Sequence, residues 1–197
     1  MAGPGRRRDP ERTREQILDA ALHEFGEHGY AGARTAAIAA RAGVNQQLIS
    51  YHFGGKAGLH QAVIARWPAI GAPLRDGALA DVVANFVRAG AVEPAWGRML
   101  VWSELTGELE ADAAAGDTVD TSYLTAMVDD LRARQEQGEL VADLDPAYVQ
   151  LMLFAAALAP YILVRTARGM TGLDPGSPEF VERYAATLAR VVERLRD

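Results

Sequence analysis

Apolar positions along the chain recur every three or four residues and never alternate strictly, so each patterned segment predicts a helix and none predicts a strand. The first helix is expected from Thr13, which stands three residues before Gln16 in the spacing of a reciprocal cap. It carries Ile17, Leu18, Ala21, Leu22 and Phe25 on one face as far as Gly29. Thr35 has the chemistry to cap a second, short helix with Ile38, Ala39 and Ala42 inside, stopped by Gly43 because glycine accepts the left-handed backbone of helix ends. Asn45 caps a third, with Leu48, Ile49 and, past its end, Phe53. A fourth, from about Lys56, aligns Leu59, Val63, Ile64 and Trp67 until Pro68, Gly71, Pro73 and Gly77 break the period. Further helices are expected at about 78–90, 94–107, 118–137, 146–168 and 178–196; Asp145-Pro146 and Ser177-Pro178 each supply a cap followed by a first-turn proline.

The fold class is therefore all-α, with about nine helices in two domains. Residues 1–12, rich in Gly, Pro and Arg without apolar periodicity, read as a flexible basic arm. Residues 13–67 form a small domain, including the start of the fourth helix, and residues 68–197 a larger one. Two short helices separated by the tight Gly43-Val44 turn must cross steeply, which is a helix-turn-helix.

Composition narrows this picture. Of 197 residues, 49% are apolar and 23% charged, the balance of a globular chain. No cysteine is present, which removes disulfides and thiolate metal sites and fits a reducing compartment, with cytoplasm as the expectation. No signal sequence is visible, and the longest apolar run, Leu151 to Val164, contains Pro160 and is too short for a membrane span, so it reads as a buried helix. The net charge of −6 is uneven: residues 1–60 hold eight Lys/Arg against six Asp/Glu, +2, which leaves −8 for the remainder. Only the first third meets a polyanion without repulsion.

Catalytic chemistry finds no support. The "GGK" at 54–56 lacks the first glycine and the final Ser/Thr of a phosphate loop, where Ser50 and Ala57 stand, and no strand precedes it. His23, His28, His52 and His60 show no metal-ligand spacing, and Glu104 is an isolated acid. No enzyme activity, cofactor or metal is expected.

The stretch "AGVNQQLISYHFGGK", residues 42–56, carries the functional signal. The second helix of a helix-turn-helix lies in the major groove with its early residues at base edges. Asn45, Gln46 and Gln47 start that helix, and glutamine pairs bidentately with adenine. Tyr51, His52 and Lys56 stand at its far end, placed for phosphate oxygens. Ile38, Val44, Ile49 and Phe53 read as core, and Leu48 either packs inward or meets a thymine methyl.

These residues resemble the TetR family of one-component regulators: Thr35, Ile38, Ala39, Ala42, Gly43, Val44, Tyr51, His52, Phe53, Lys56 and Leu59 match its N-terminal signature, with "HGY" at 28–30 ahead of them. The resemblance covers roughly residues 13–66. It implies that Thr35, Tyr51, His52 and Lys56 touch phosphates and that Gln46 and Gln47 touch bases, with Ala36 at a position some members use for base contact. Position 47, commonly small or proline in the family, is Gln, and position 50, often a phosphate-binding tyrosine, is Ser50.

The larger domain is expected to dimerise and to hold an effector. Its last two helices are apolar over more than one stripe, which asks for a second subunit. Leu153, Tyr161, Tyr184, Leu188 and Val192 are assigned to that homodimer interface. Phe86, Trp96, Met99, Trp102, Tyr123 and Met127 are bulky enough to line a cavity for a small apolar or aromatic effector. The resemblance implies a repressor that binds a palindromic duplex-DNA operator as a homodimer and is released when the effector shifts the fourth helix. The alternatives are an all-helical small-molecule carrier or enzyme whose N-terminal helices are only structural, and a DNA reader without a ligand.

Overall fold

The computed structural model describes residues 10–106 and 122–196. Among them are eleven α-helices, one 3-10 turn and no strand. The chain divides into two compact units between Trp67 and Pro68.

The first unit contains α1 (Pro10–Gly32), α2 (Thr35–Ala42), α3 (Gln47–Phe53) and α4 (Lys56–Ile64). α1 packs on α2 and α4, and α3 packs on α4. Ile17, Leu18, Phe25, Ile38, Ile49, Leu59 and Val63 are essentially sealed from solvent, each such side chain contributing about 1.5–3 kcal/mol of transfer free energy. α1 starts earlier than its cap pattern suggests. Pro10 occupies the first turn, where a missing N–H costs nothing, and Thr13 is buried inside the helix instead of capping it. Gly29 turns to φ 66° and interrupts α1, as its breaker chemistry predicts, but one more turn follows.

α5 (Trp67–Gly71) starts at the last residue of the first unit, and it and the 3-10 turn Ala72–Arg75 are short elements in the stretch where Pro and Gly break the helical period. The second unit follows. It continues with α6 (Leu79–Val92), α7 (Ala95–Thr106), α8 (Ser122–Glu136), α9 (Pro146–Ile162), α10 (Val164–Thr171) and α11 (Pro178–Glu193). Residues 107 and 118–121 of the expected helices lie outside the described residues. α6 is the hub, packed against α11 and α9, while α9 also meets α7 and α8. Leu79, Val83, Leu131, Leu140, Val149, Leu153 and Val192 form one core, and the small Ala84 and Ala185 with Val87 form another where α6 meets α11.

Both proline-marked starts are built as the residues suggest. Asp145 accepts from the Ala147 N–H at 2.9 Å and Ser177 from the Phe180 N–H at 3.3 Å. The single helix expected over 146–168 is two, bent by 88° at Leu163, whose φ −98°, ψ 43° leaves the helical region. Pro160 lacks the N–H that would reach the Ala156 carbonyl one turn back, and the Tyr184 hydroxyl donates to that carbonyl instead at 2.8 Å. The apolar run is not buried all round either: Leu151 and Met152 are exposed. No single described helix is long and apolar enough to cross a membrane; only α9 and α10 together pass on length and composition.

A half-buried polar knot holds the start of α6. Glu139 accepts from the Leu79 N–H at 2.7 Å, and Arg134 reaches the Gly77 carbonyl at 2.8 Å, the Arg75 carbonyl at 2.9 Å and Asp130 at 2.9 Å. One guanidinium and one carboxylate thereby satisfy a helix end and two loop carbonyls. Arg88 on α6 grips Glu182 on α11 with two nitrogens, at 2.9 and 3.0 Å. That bond raises the arginine pKa and lowers the carboxyl pKa below its ordinary value.

Candidate nucleic-acid interface

The α2–α3 turn is made by backbone hydrogen bonds around Gly43, which sits at φ 66°, ψ 34°. The Gly43 N–H reaches the Ala40 carbonyl at 3.2 Å and the Val44 N–H the Ala39 carbonyl at 3.0 Å, the paired closure of a left-handed helix end. A side chain there meets no steric obstacle, so the requirement is conformational. Asn45 then opens α3: its side chain accepts from the Gln47 N–H at 2.9 Å and its carbonyl from the Leu48 N–H at 3.0 Å. Asn45 is thus first a cap.

α3 is divided by face. Ile49 is buried, Leu48 and Phe53 are half-buried, and Gln46, Gln47, Ser50 and Tyr51 are exposed, Tyr51 by 80%. Gln46 Nε2 donates to Thr35 Oγ1 at 2.9 Å, which joins the residue before α3 to the first residue of α2. Tyr51 meets His52 edge-on, with ring centroids 5.0 Å apart. Val44 is only half-buried, and Ala36 is exposed on α2.

Lys56 is more constrained than a solvated lysine. Its ammonium donates to the Ala31 carbonyl at 3.3 Å, in the last turn of α1, and lies 4.6 Å from the Tyr30 ring centroid. An ammonium has three N–H donors, so reaching a phosphate remains compatible with this seat. The structure brings Thr35 to Gln46 and Tyr51 to His52, and sets Lys56 on the end of α1.

Three supporting residues escape sequence reasoning. Glu24, buried on the inner face of α1, accepts from the Arg34 N–H at 3.1 Å and so caps the entry to α2. An acid inside an otherwise apolar stripe was the available signal. Arg14 stands 5.2 Å from the Phe53 ring centroid. Gly58 in α4 has no room for a β-carbon against the Phe53 carbonyl, so it lets the first turn of α4 close on the end of α3. Several of the unit's cations are paired on its surface: Arg41 with Glu27 at 3.3 Å, and Arg66 with Asp19 at 2.8 Å. Exposed pairs of this kind stabilise little.

In the second unit the expected pocket residues are not equivalent. Met99 and Met127 are buried, Phe86, Trp96 and Tyr123 are half-buried, and Trp102 is exposed. Burial, with the Glu104 charge as the lesser cause, raises the Tyr123 hydroxyl pKa.

The residues expected at the interface divide by burial: Tyr184 and Leu188 are half-buried, and the other three are buried within the chain. Leu153 (8% exposed) and Val192 (1%) belong to the chain's own core, and Tyr161 (6%) is buried with its hydroxyl donating to the Val87 carbonyl. Tyr184 stacks on Phe180, and Leu188 packs against both cores. The exposed apolar stripe of α9 is Tyr148, Leu151, Met152 and Ala155, and Val191 is exposed on α11. α9 is apolar on nearly every side, so its period does not say which side faces in.

Comparison with known proteins completes the description. Residues 17–63 match the model for bacterial regulatory proteins of the tetR family. Over 95% of its length the chain is 30% identical to the HTH-type transcriptional repressor SCO4008 of Streptomyces coelicolor, covering 98% of that protein. The solved transcriptional regulator SCO4942 of Streptomyces coelicolor superimposes with a TM-score of 0.71 at 26% identity, over 92% of this chain and 97% of that one. GusR of Salmonella enterica has the same fold, with a TM-score of 0.65 at 22% identity over 97% and 98% of the two chains.

Proposed function

We propose, from the premise that this chain belongs to the tetR family of bacterial regulatory proteins and is a DNA-binding transcriptional regulator, that it represses from a palindromic operator as a homodimer and leaves it when a small effector binds. The observation that carries the reading is the division of α3. Ile49 is sunk into the core, while Gln46, Gln47, Ser50 and Tyr51 stand outward at the start and middle of a seven-residue helix behind a tight turn. Groups that accept and donate hydrogen bonds on the exposed side of such a helix suit base edges and phosphates. Repression is favoured because the relative sharing 30% identity over almost the whole chain is a repressor.

A homodimer is supported by Tyr148, Leu151, Met152 and Ala155, spaced i, i+3, i+4, i+7 on α9, an apolar stripe that a second copy would cover. The buried and half-buried Met99, Met127, Phe86, Trp96 and Tyr123 favour an apolar or aromatic effector in the second unit. If so, DNA and effector weaken each other by the same factor. The relatives being regulators, an all-helical enzyme or carrier gains no support from them.

The test is selection by the purified chain from a random duplex library, followed by polarisation titrations at two salt concentrations. Two inverted half-sites about one duplex turn or a multiple apart, with affinity falling steeply in salt, are expected. Enrichment of no sequence, or salt-independent binding, contradicts the reading.

A further inference from the structure

Gln46 and Thr35 lie eleven positions apart, yet the Gln46 amide nitrogen donates to the Thr35 hydroxyl at 2.9 Å on the exposed side of the helix-turn-helix. A glutamine side chain free in solvent samples many rotamers, and fixing it costs conformational entropy. Here the fixing precedes any contact with DNA. A primary amide has two N–H groups and one carbonyl oxygen. With one N–H turned to Thr35, the outward edge keeps one N–H and Oε1. That donor and acceptor match the N7 acceptor and N6 donor of adenine in the major groove. Guanine offers two acceptors there, and Oε1 would face one of them. The reversed amide would set its N–H opposite the N6 donor and its carbonyl opposite N7, a mismatch for adenine, and would draw the Thr35 hydroxyl hydrogen onto Oε1.

We propose that Thr35 is a specificity-determining positioning residue, which orients the Gln46 amide so that each copy of α3 selects an adenine at one position of its half-site. The inference rests on the operator-binding reading above. The Thr35 hydroxyl, having accepted from Gln46, retains its own hydrogen to donate outward to a phosphate, so one side chain sets both base choice and register.

The experiment uses the full chain as wild type, Gln46→Ala, Thr35→Val and Thr35→Ser, each allowed to select from a random duplex library and then titrated against the wild-type consensus. Gln46→Ala should lose preference at one adenine. Thr35→Val, equal in shape but without the hydroxyl, should cut that same preference about tenfold. Thr35→Ser should keep it. With wild-type protein alone, replacing that adenine by purine, which lacks the 6-amino group, should weaken binding about tenfold, an outcome independent of how any variant folds. The inference is overturned if Thr35→Val weakens all sequences alike with preference intact, if the base is guanine, or if purine binds as well as adenine. A wild-type chain that enriches nothing overturns the operator reading itself, and the inference with it.

Discussion

Tyr161 occupies the space that a side chain on Gly90 would need: a β-carbon built there lies 2.5 Å from Tyr161 Cε2 and 2.9 Å from Cδ2. The same ring sends its hydroxyl to the Val87 carbonyl, one turn earlier on α6. Gly90→Ala should therefore destabilise the chain by about 1–3 kcal/mol through overpacking, although alanine is the better helix former. In a Tyr161→Ala background the obstacle is gone, and the same change should stabilise by up to about 1 kcal/mol. Urea denaturation of the four proteins checks the reversal of sign; equal effects in both backgrounds would remove the steric account.

Tyr184 and Pro160 form a second coupled pair. The Tyr184 hydroxyl fills the Ala156 carbonyl that Pro160 leaves without its helical donor. Tyr184→Phe should cost about 1–2 kcal/mol in the wild type. In Pro160→Ala, where residue 160 regains an N–H for that carbonyl, the cost should be smaller, and a double-mutant cycle measures the difference.

Alkaline stability should report the burial of Tyr161. Burial, with Tyr184 nearby as the lesser cause, pushes its hydroxyl from the ordinary 10.0 up to about 12. The native chain then holds a proton that the unfolded chain has released, so the contribution is complete below pH 10 and is lost as pH rises through about 12. Denaturation at intervals between pH 8 and 12 should show a shallower fall in Tyr161→Phe than in wild type. Tyr123 and Tyr184, also raised by burial, keep part of the slope. Identical slopes in the two proteins would contradict the assignment.

Leu151 and Leu153 should separate assembly from folding. Leu151 is 63% exposed and Leu153 is in the core. On the proposed dimer, Leu151→Asp should yield a folded monomer by sedimentation at concentrations where the wild type sediments as two copies. Leu153→Ala should instead lower unfolding free energy by about 2–5 kcal/mol. A dimer that survives Leu151→Asp would move the interface off this stripe.

Lys56 and Gln47 should differ in what they remove from DNA binding. Lys56→Ala should weaken all duplexes alike and reduce the salt slope by about 1, whereas Gln47→Ala should change preference at one or two base pairs. Because Lys56 also lies over Tyr30 and bonds the Ala31 carbonyl, its loss should cost about 0.5–1 kcal/mol of stability as well. Titration across a panel of sequences and salts distinguishes the two.

The chain's own letters decide what is local. Helix starts at Asp145-Pro146 and Ser177-Pro178, the left-handed stop at Gly43, the cap at Asn45 and the outward polar face of α3 all depend on residues within a few positions of one another, so they can be read in order along the sequence. Tertiary structure decides what depends on meetings across long separations. Neither the Tyr184 hydroxyl on the Ala156 carbonyl, nor the Tyr161 ring against Gly90, nor the grip of Gln46 on Thr35 has any periodic trace. The same holds for α9: with apolar residues on nearly every side, its pattern offers several equivalent inner faces. Only the packing of α6, α8 and α11 selects Leu153 and Tyr161 for the core and leaves Leu151 and Met152 to solvent, because burying a surface requires a partner of complementary shape that the helix does not itself encode.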